Sequence, residues 1–521
     1  MTRSETQTVL ATGETVRAVI DAAARSYPER VFLVMPESGE QLSFAELQAS
    51  ARETADRIRA LGVNKGEPVS FMLGNGSAAV KLLLGTMYGG FLSAPLNTAA
   101  GPSQLAYVLE HSETRTAFVS PDHREQMDQA LAEVDRQVHI VPTDAIAGPE
   151  WPATGTADDA LAEIGRDDDA LLMYTSGTTG NPKGVLLTHG NVLAGGKNTA
   201  GAHKITVGDR GLCVLPLCHI NAQMVTVLGP LVSGSSVTMP TGFSVRQFWK
   251  WITAFDCTWF SVVPTIISYL AHDPNAPDRE QLKKVRFGRS ASAPLAPALH
   301  AAFEQKFGIQ IVETMGLTET AAQILSNPMP PQRGKYGSPG LPYGNQVKIF
   351  DKSGREAKPM EEGEIVVRGP NVMRGYFKNP EATAEAIDAQ GWLHTGDLGH
   401  TDEEGYVFVT GRLKELIIKG GENISPREID DVLYSHPAIV EAGTVGVPDD
   451  HYGEEIVACV VIRDDAQCDE FELIEFCSEK VGGFKAPRAI YFMSELPKGP
   501  SGKIQRRKLI GLIKDDFPST V

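Results

Sequence analysis

The chain has 521 residues, too many for one compact core, and its 42% hydrophobic and 22% charged residues are an ordinary globular composition, so two or more domains are expected. Lysines and arginines number 48 against 65 aspartates and glutamates, and the net charge of −17 disfavours nonspecific binding to nucleic acid or to an anionic membrane. Cys213, Cys218, Cys257, Cys459, Cys468 and Cys477 form no Cys-x-x-Cys and stand at no zinc spacing from a histidine, so reduced thiols in a cytoplasmic setting are expected.

Along the chain, Met1 to Gln7 lacks the apolar core of a signal peptide. From about residue 14 to 140, helical patterns alternate with short apolar runs. Leu47 to Leu61 carries apolar residues at helical spacing and is stopped by Gly62, while Pro68 to Leu73 reads as a buried strand. The longest apolar stretches are interrupted by Lys81, His219 or Asn221, so no membrane span is expected. Ser519-Thr520-Val521 is not a peroxisomal address.

The most informative segment is Tyr174-Thr175-Ser176-Gly177-Thr178-Thr179-Gly180-Asn181-Pro182-Lys183-Gly184. It follows the apolar run Ala170 to Met173 and precedes Val185 to Leu187, which predicts strand, tight loop, strand. Glycines let backbone N–H groups crowd round an anion, and Thr175, Ser176, Thr178, Thr179 and Lys183 add donors, so a polyphosphate is the expected guest. The loop is no Walker A motif, because Asn181-Pro182 separates Gly180 from Lys183 and Gly184 stands where a Ser/Thr would hold magnesium. A short glycine pattern alone would suit a surface turn equally well. This much loop chemistry between apolar strands favours a nucleotide.

Beyond it, Leu212 to Leu215, Trp259 to Val263 and Val285 to Phe287 read as strands with helices between them, which implies parallel sheets covered by helices. Between about 345 and 411 the texture changes to short strands and Gly turns, as in Gly363 to Gly369, and predicts a small β-rich subdomain. A boundary is expected near Gly411-Arg412-Leu413-Lys414-Glu415, giving domains 1–412 and 413–521. After it, Ser425 is placed to cap a helix, Pro426 to occupy its first position and Glu428 to close a capping box. Strands Ala442 to Val447, Ile456 to Ile462 and Ala489 to Met493, a helix Glu470 to Lys480 and a terminal helix complete a small α+β domain. The fold class is thus α/β, with a large domain of helix-covered sheets, a β-rich subdomain and a small mobile C-terminal domain.

Further motifs follow in order: Met315-Gly316-Leu317-Thr318-Glu319-Thr320, Gly391 to Leu398 containing Asp397, Gly411 to Glu415 containing Arg412, and Pro497-Lys498-Gly499-Pro500-Ser501-Gly502-Lys503-Ile504. With the phosphate loop they resemble the adenylate-forming superfamily of acyl-CoA synthetases, peptide-synthetase adenylation domains and luciferases, over nearly the whole chain. The resemblance implies ATP, Mg²⁺ and coenzyme A as cofactors. It makes Glu319 a magnesium ligand and Thr318 a phosphate contact. A carboxylate beside a triphosphate needs a divalent cation between them. Asp397 would accept from both ribose hydroxyls, Arg412 would be its ribose and phosphate partner, and Lys414 the hinge. Lys503 would reach into the site for adenylation, supplying the cation that lets a carboxylate approach the α-phosphate. Taken singly, Asp397 suits a turn, Arg412 a linker and Lys503 a basic tail with Arg506, Arg507 and Lys508; their order and neighbours favour the functional roles.

By the same resemblance, Ser292, Ala293, Pro294, Met315 and Gly316 lie along adenine, with Met315 replacing the family's usual aromatic residue. Gly420 and Gly421 admit the pantetheine thiol. His219, Asn221, Arg289, Ser290, Ala291 and Ala322 line the acyl pocket, where a lone histidine among apolar residues is otherwise a core residue. Gly242-Phe243-Ser244, Gln247-Phe248-Trp249 and Thr258 to Ile266 resemble the oxalate–CoA ligase branch, so a small polar acid is expected, with His219, Ser290 and Arg289 as donors for a dianion. Ala322, where that branch has histidine, and Asn221-Ala222 depart from its pattern, which leaves open another short acid, sulfonated or hydroxylated, or a medium-chain or aromatic one. A carrier-protein thiol or an amine is the alternative acceptor, and a catalytically dead nucleotide-binding regulator the alternative class. The Pro-x-x-x-x-Gly-Lys pattern ending at Lys503 resembles sites of reversible acetylation, implying a lysine acetyltransferase as a partner; acetylation would remove the charge. The oligomeric state is left open.

Overall fold

The computed structural model of the chain describes residues 12–153, 160–175, 181–463, 466–499 and 503–513. Strands such as Trp259–Val262 and Phe287–Ser290 are buried along their whole length, so they lack polar–apolar alternation and belong inside a sheet covered on both faces. They form the middle of a nine-stranded sheet. Its inner strands, Ile311–Leu317, Phe287–Ser290, Trp259–Val262, Arg210–Cys213, Ser236–Thr238 and Val31–Val34, run parallel in that order. An eight-stranded sheet places Pro68–Met72, Leu92–Pro95, Thr116–Val119 and His139–Asp144 parallel around its centre. Asp169–Thr175 and Lys183–Thr188 extend this sheet as an antiparallel hairpin, with Thr175 paired to Lys183.

The helix over Leu47–Leu61 is Phe44–Ala60, closed at its start by the reciprocal Ser43–Glu46 capping box. Two strands are shifted from the expected runs: Arg210–Cys213 lies two residues earlier than Leu212 to Leu215, and Phe287–Ser290 starts two residues later than Val285 to Phe287 and ends three later, each with ends set by pairing with its neighbours. The β-rich segment is a four-stranded antiparallel sheet of Gln346–Phe350, Gly363–Arg368, Leu393–Thr401 and Val407–Arg412.

From Ile417 the chain builds its own five-stranded sheet. The strand Gly453–Ile462 shows why it has a helix on each face. Ile456, Ala458 and Val460 join one core with Ile429, Leu433, Leu473 and Cys477, while Val457 and Cys459 join another with Leu496, Leu509 and Ile513. Alternation of period two thus seats helices Pro426–Tyr434 and Glu470–Val481 on one face and Arg506–Ile513 on the other. The capping box expected at Ser425 does not form. Ser425 is the N-cap residue, but its hydroxyl donates to the Thr410 carbonyl at 2.6 Å, and the Glu428 carboxylate is taken by Lys485 at 2.8 Å.

Candidate active site

Three parallel strands deliver their carboxyl ends to one side of the large lobe, where ligands bind in open α/β sheets. Pro264 and Thr265 follow Trp259–Val262, Ser292, Ala293 and Pro294 follow Phe287–Ser290, and Met315 and Gly316 close Ile311–Leu317; all line one cleft of about 260 Å³. Gly316 is required: it sits at a bulge in the hairpin with Ala322–Ser326, where a Cβ would stand 1.9 Å from the Ala322 carbonyl oxygen. Ser292 and Ala322 both take φ of 73°, so each of these turns carries local strain.

Asp397 and Arg412 reach the same cleft from adjacent antiparallel strands on which they are register partners. Arg412 Nε donates to Asp397 Oδ1, and Asp397 is buried. Burial works against the Arg412 charge, but Asp397, then Glu415 and Glu319, outweigh it and lift its pKa above the ordinary value. Lys503 enters from the small lobe and keeps access to solvent within the cleft. Enclosure between the lobes and then the Arg412 cation lower its ammonium below the usual value, while Asp397, Glu415 and Glu319 pull the other way. A lysine lodged beside an arginine is poised for an anionic guest.

Glu319 lies in the single turn Thr318–Thr320, and Tyr376 donates its phenol proton to Glu319 Oε1 at 3.0 Å. Burial and then Glu319 push the Tyr376 phenol well above its ordinary range, so it stays a donor. Lys183, at the start of the hairpin's second strand, holds its ammonium 4.7 Å from the centroid of the Tyr376 ring. Tyr376 therefore joins the lysine of the phosphate loop to the candidate magnesium ligand. Ser176, Gly177, Thr178, Thr179 and Gly180 lie outside the described residues.

Arg506 anchors the arm that carries Lys503. Its guanidinium bonds Asp430 Oδ2 at 2.6 Å, the Thr444 carbonyl at 2.8 Å and Glu415 Oε2 at 3.3 Å. Sequence reading missed Tyr376 and set Arg506 aside as tail charge. The only signal for Arg506 was its place three residues beyond Lys503.

His219 and Asn221 precede the buried π-helix Ala222–Leu228, a form often found at functional sites. Burial and then Lys503 lower the His219 imidazole to about 4, so it is neutral at pH 7. Asn221 Nδ2 donates to Ser292 Oγ at 3.3 Å, and its Oδ1 accepts from Arg289 Nη1 at 3.2 Å. Ser290 and Ala291 are buried between Arg289 and Ser292 in sequence, Ala322 is buried as the register partner of Leu317, and none of these, nor His219, Asn221 or Arg289, lines the cleft above. Gly420 and Gly421 do not line the cleft. They turn the hairpin between Ile417–Lys419 and Glu422–Ile424 with φ of 56° and 84°. Lys414 is exposed in the turn Leu413–Glu415 between the lobes.

A carboxylate–arginine pair on the large lobe and a lysine supplied by a second lobe share one cleft, and the chain belongs to the AMP-binding enzyme family. That family's model matches residues 20–377, and the AMP-binding enzyme C-terminal domain matches 428–503. The chain is 47% identical to the sulfoacetate–CoA ligase of Cupriavidus necator over 499 residues, 95% of this chain and 97% of that one. It is 34% identical to the oxalate–CoA ligase of Arabidopsis thaliana over 505 residues, 95% of this chain and 98% of that one. Its fold matches ATP-bound MatB from Rhodopseudomonas palustris with a TM-score of 0.86 at 28% identity, covering 97% of this chain and 100% of the other. The protein is an acid–thiol ligase of the AMP-forming class, which uses ATP, Mg²⁺ and CoA.

Proposed function

We propose that the chain joins a small polar carboxylic acid to coenzyme A, with ATP cleaved to AMP and pyrophosphate. The observation that carries this reading is the convergence of Asp397, Arg412 and Lys503 from both lobes on one cleft, with Glu319 near enough to act on both cations, in a family of acid-activating enzymes. Asp397 has two oxygens to accept from a vicinal diol, and Arg412 holds it in place. Met315, Gly316 and the Ser292–Pro294 turn flank the base. Lys503 offsets the repulsion between the incoming carboxylate and the α-phosphate, so that the acid oxygen attacks phosphorus and pyrophosphate leaves. In the second step a thiol attacks the acyl carbon and AMP leaves, with the small lobe turned about Lys414 to bring Gly420 and Gly421 to the pantetheine channel.

Magnesium, when bound, neutralises the triphosphate charge. Glu319 fits as its protein ligand, fixed by Tyr376 on the side facing Lys183.

The similarity to a sulfoacetate–CoA ligase favours a short acid with a second anionic group. Pyrophosphate release is to be measured against short sulfonated, dicarboxylic and plain carboxylic acids, with and without CoA. Acid-dependent release with a thioester formed only when CoA is present supports the reading. Release with no thioester from CoA points to another acceptor, and no release with any acid refutes the assignment.

A further inference from the structure

Arg289 is among the largest fully buried side chains of the protein, at 2% exposure, and no carboxylate answers it. Its Nη1 donates to Ser261 Oγ at 3.1 Å and to Asn221 Oδ1 at 3.2 Å, both neutral, and its Nε has no partner. No ion pair to it occurs among the described residues, and burial alone lowers its pKa, to about 9, with no charged neighbour contributing. A solitary buried cation is unfavourable, and an apolar side chain of similar volume would serve the fold as well or better. The fold does not require the charge.

The arginine's surroundings lead to the cleft. Ser261 and Arg289 are register partners on neighbouring parallel strands, and Asn221 bridges them, since Ser261 Oγ also donates to Asn221 Oδ1 at 3.2 Å. The other end of the Asn221 amide holds Ser292, a cleft-lining residue. Two residues before Asn221, the buried Nε2 of His219 lacks a partner. An uncompensated guanidinium thus sits one amide away from Ser292 on the cleft wall, and that amide belongs to the segment that also holds the unpartnered His219 Nε2.

We infer that Arg289 binds the second anionic group of the acid, a sulfonate or a second carboxylate, with Asn221 and Ser261 fixing the guanidinium plane. This rests on the ligase reading above and names the charge its pocket selects. A planar, permanently charged fork suits two oxygens of either group. An uncharged acid would leave the cation buried and unanswered, so selection is against neutral side groups as well as for charged ones.

The test compares sulfoacetate with methylsulfonylacetate, which keeps the size and sulfur oxygens but not the second charge. Wild-type kcat/KM for pyrophosphate release is expected to favour sulfoacetate by about a hundredfold or more. In Arg289→Met that ratio is expected to collapse to within about threefold, with the neutral acid still used. Sulfoacetate should raise the melting temperature of the wild type and not of Arg289→Met, and the ligand-free variant should melt no lower than the wild type. If Arg289→Met does not fold, Arg289→Lys, which keeps the charge and loses the fork, should cut the ratio about tenfold. An unchanged ratio in the variant that folds, or equal loss of both acids with a lowered melting temperature, overturns the assignment. A wild type that uses the neutral acid as readily as sulfoacetate overturns it too, yet leaves the ligase reading standing; no release with any acid defeats both.

Discussion

Lys503 is held in the cleft by neighbours that are themselves anchored. Arg506 ties the following helix to Asp430, Thr444 and Glu415, so the lysine arrives on a braced arm. If its work is confined to the first step, Lys503→Ala should slow adenylation by about a hundredfold or more and change thioester formation from supplied acyl-AMP by less than about threefold. Single-turnover measurement of each half-reaction checks this, and equal losses would remove the assigned role. Lys503, Asp397 and Arg412, which share the cleft, were candidates from the sequence because each sits among neighbours that form a motif. Tyr376 and Arg506 were not: their partners lie 57 residues away for Glu319, and 76 and 91 residues away for Asp430 and Glu415, so no local pattern announces them. The solitude of Arg289 was equally hidden, since a missing partner has no spelling.

Elements were read well where burial imposes a period and poorly where a side chain had a competing use. The alternation in Gly453–Ile462 placed a core on each face, whereas Ser425 and Glu428 spell a capping box and spend their side chains on Thr410 and Lys485 instead. A second helix end is built across the chain. Val16 opens the helix Val16–Ser26, and its N–H, one of the free donors of a helix start, bonds Nδ1 of His189, the first residue of His189–Ala202, at 3.3 Å. That bond needs Nδ1 unprotonated, and burial lowers the His189 imidazole from 6.5 to about 4. Between those values the unfolded chain holds the proton and the folded chain does not. Stability therefore rises with pH across this window and is lost on acidification through it, by at most about 3 kcal/mol for this group. His189→Asn, which keeps an acceptor and cannot titrate, should flatten the fall in melting temperature between pH 6.5 and 4. An unchanged slope would show that His189 does not carry it.

At the scale of the molecule, class and lobe order were legible, because β-rich and helix-alternating textures follow each other in the chain. The order of strands was not: Val31–Val34 lies beside Ser236–Thr238, a juxtaposition that no stretch between them marks. The large lobe's hydrophobic core includes Val407, and the small lobe's clusters begin at Ile417. Among the described residues no hydrophobic cluster contains side chains of both. Polar bonds do cross: Ser425 to Thr410, and Lys498, paired with Glu441, to the Tyr269 hydroxyl. A fragment of residues 1–412 should accordingly fold and bind ATP weakly, with a cooperative melt and no pyrophosphate release. Aggregation of that fragment would move the boundary.

The polar bonds at this seam have a further meaning under the proposal that the lobes part and rejoin in each turnover. Water can take over each of these bonds as it breaks, so their loss on parting costs little.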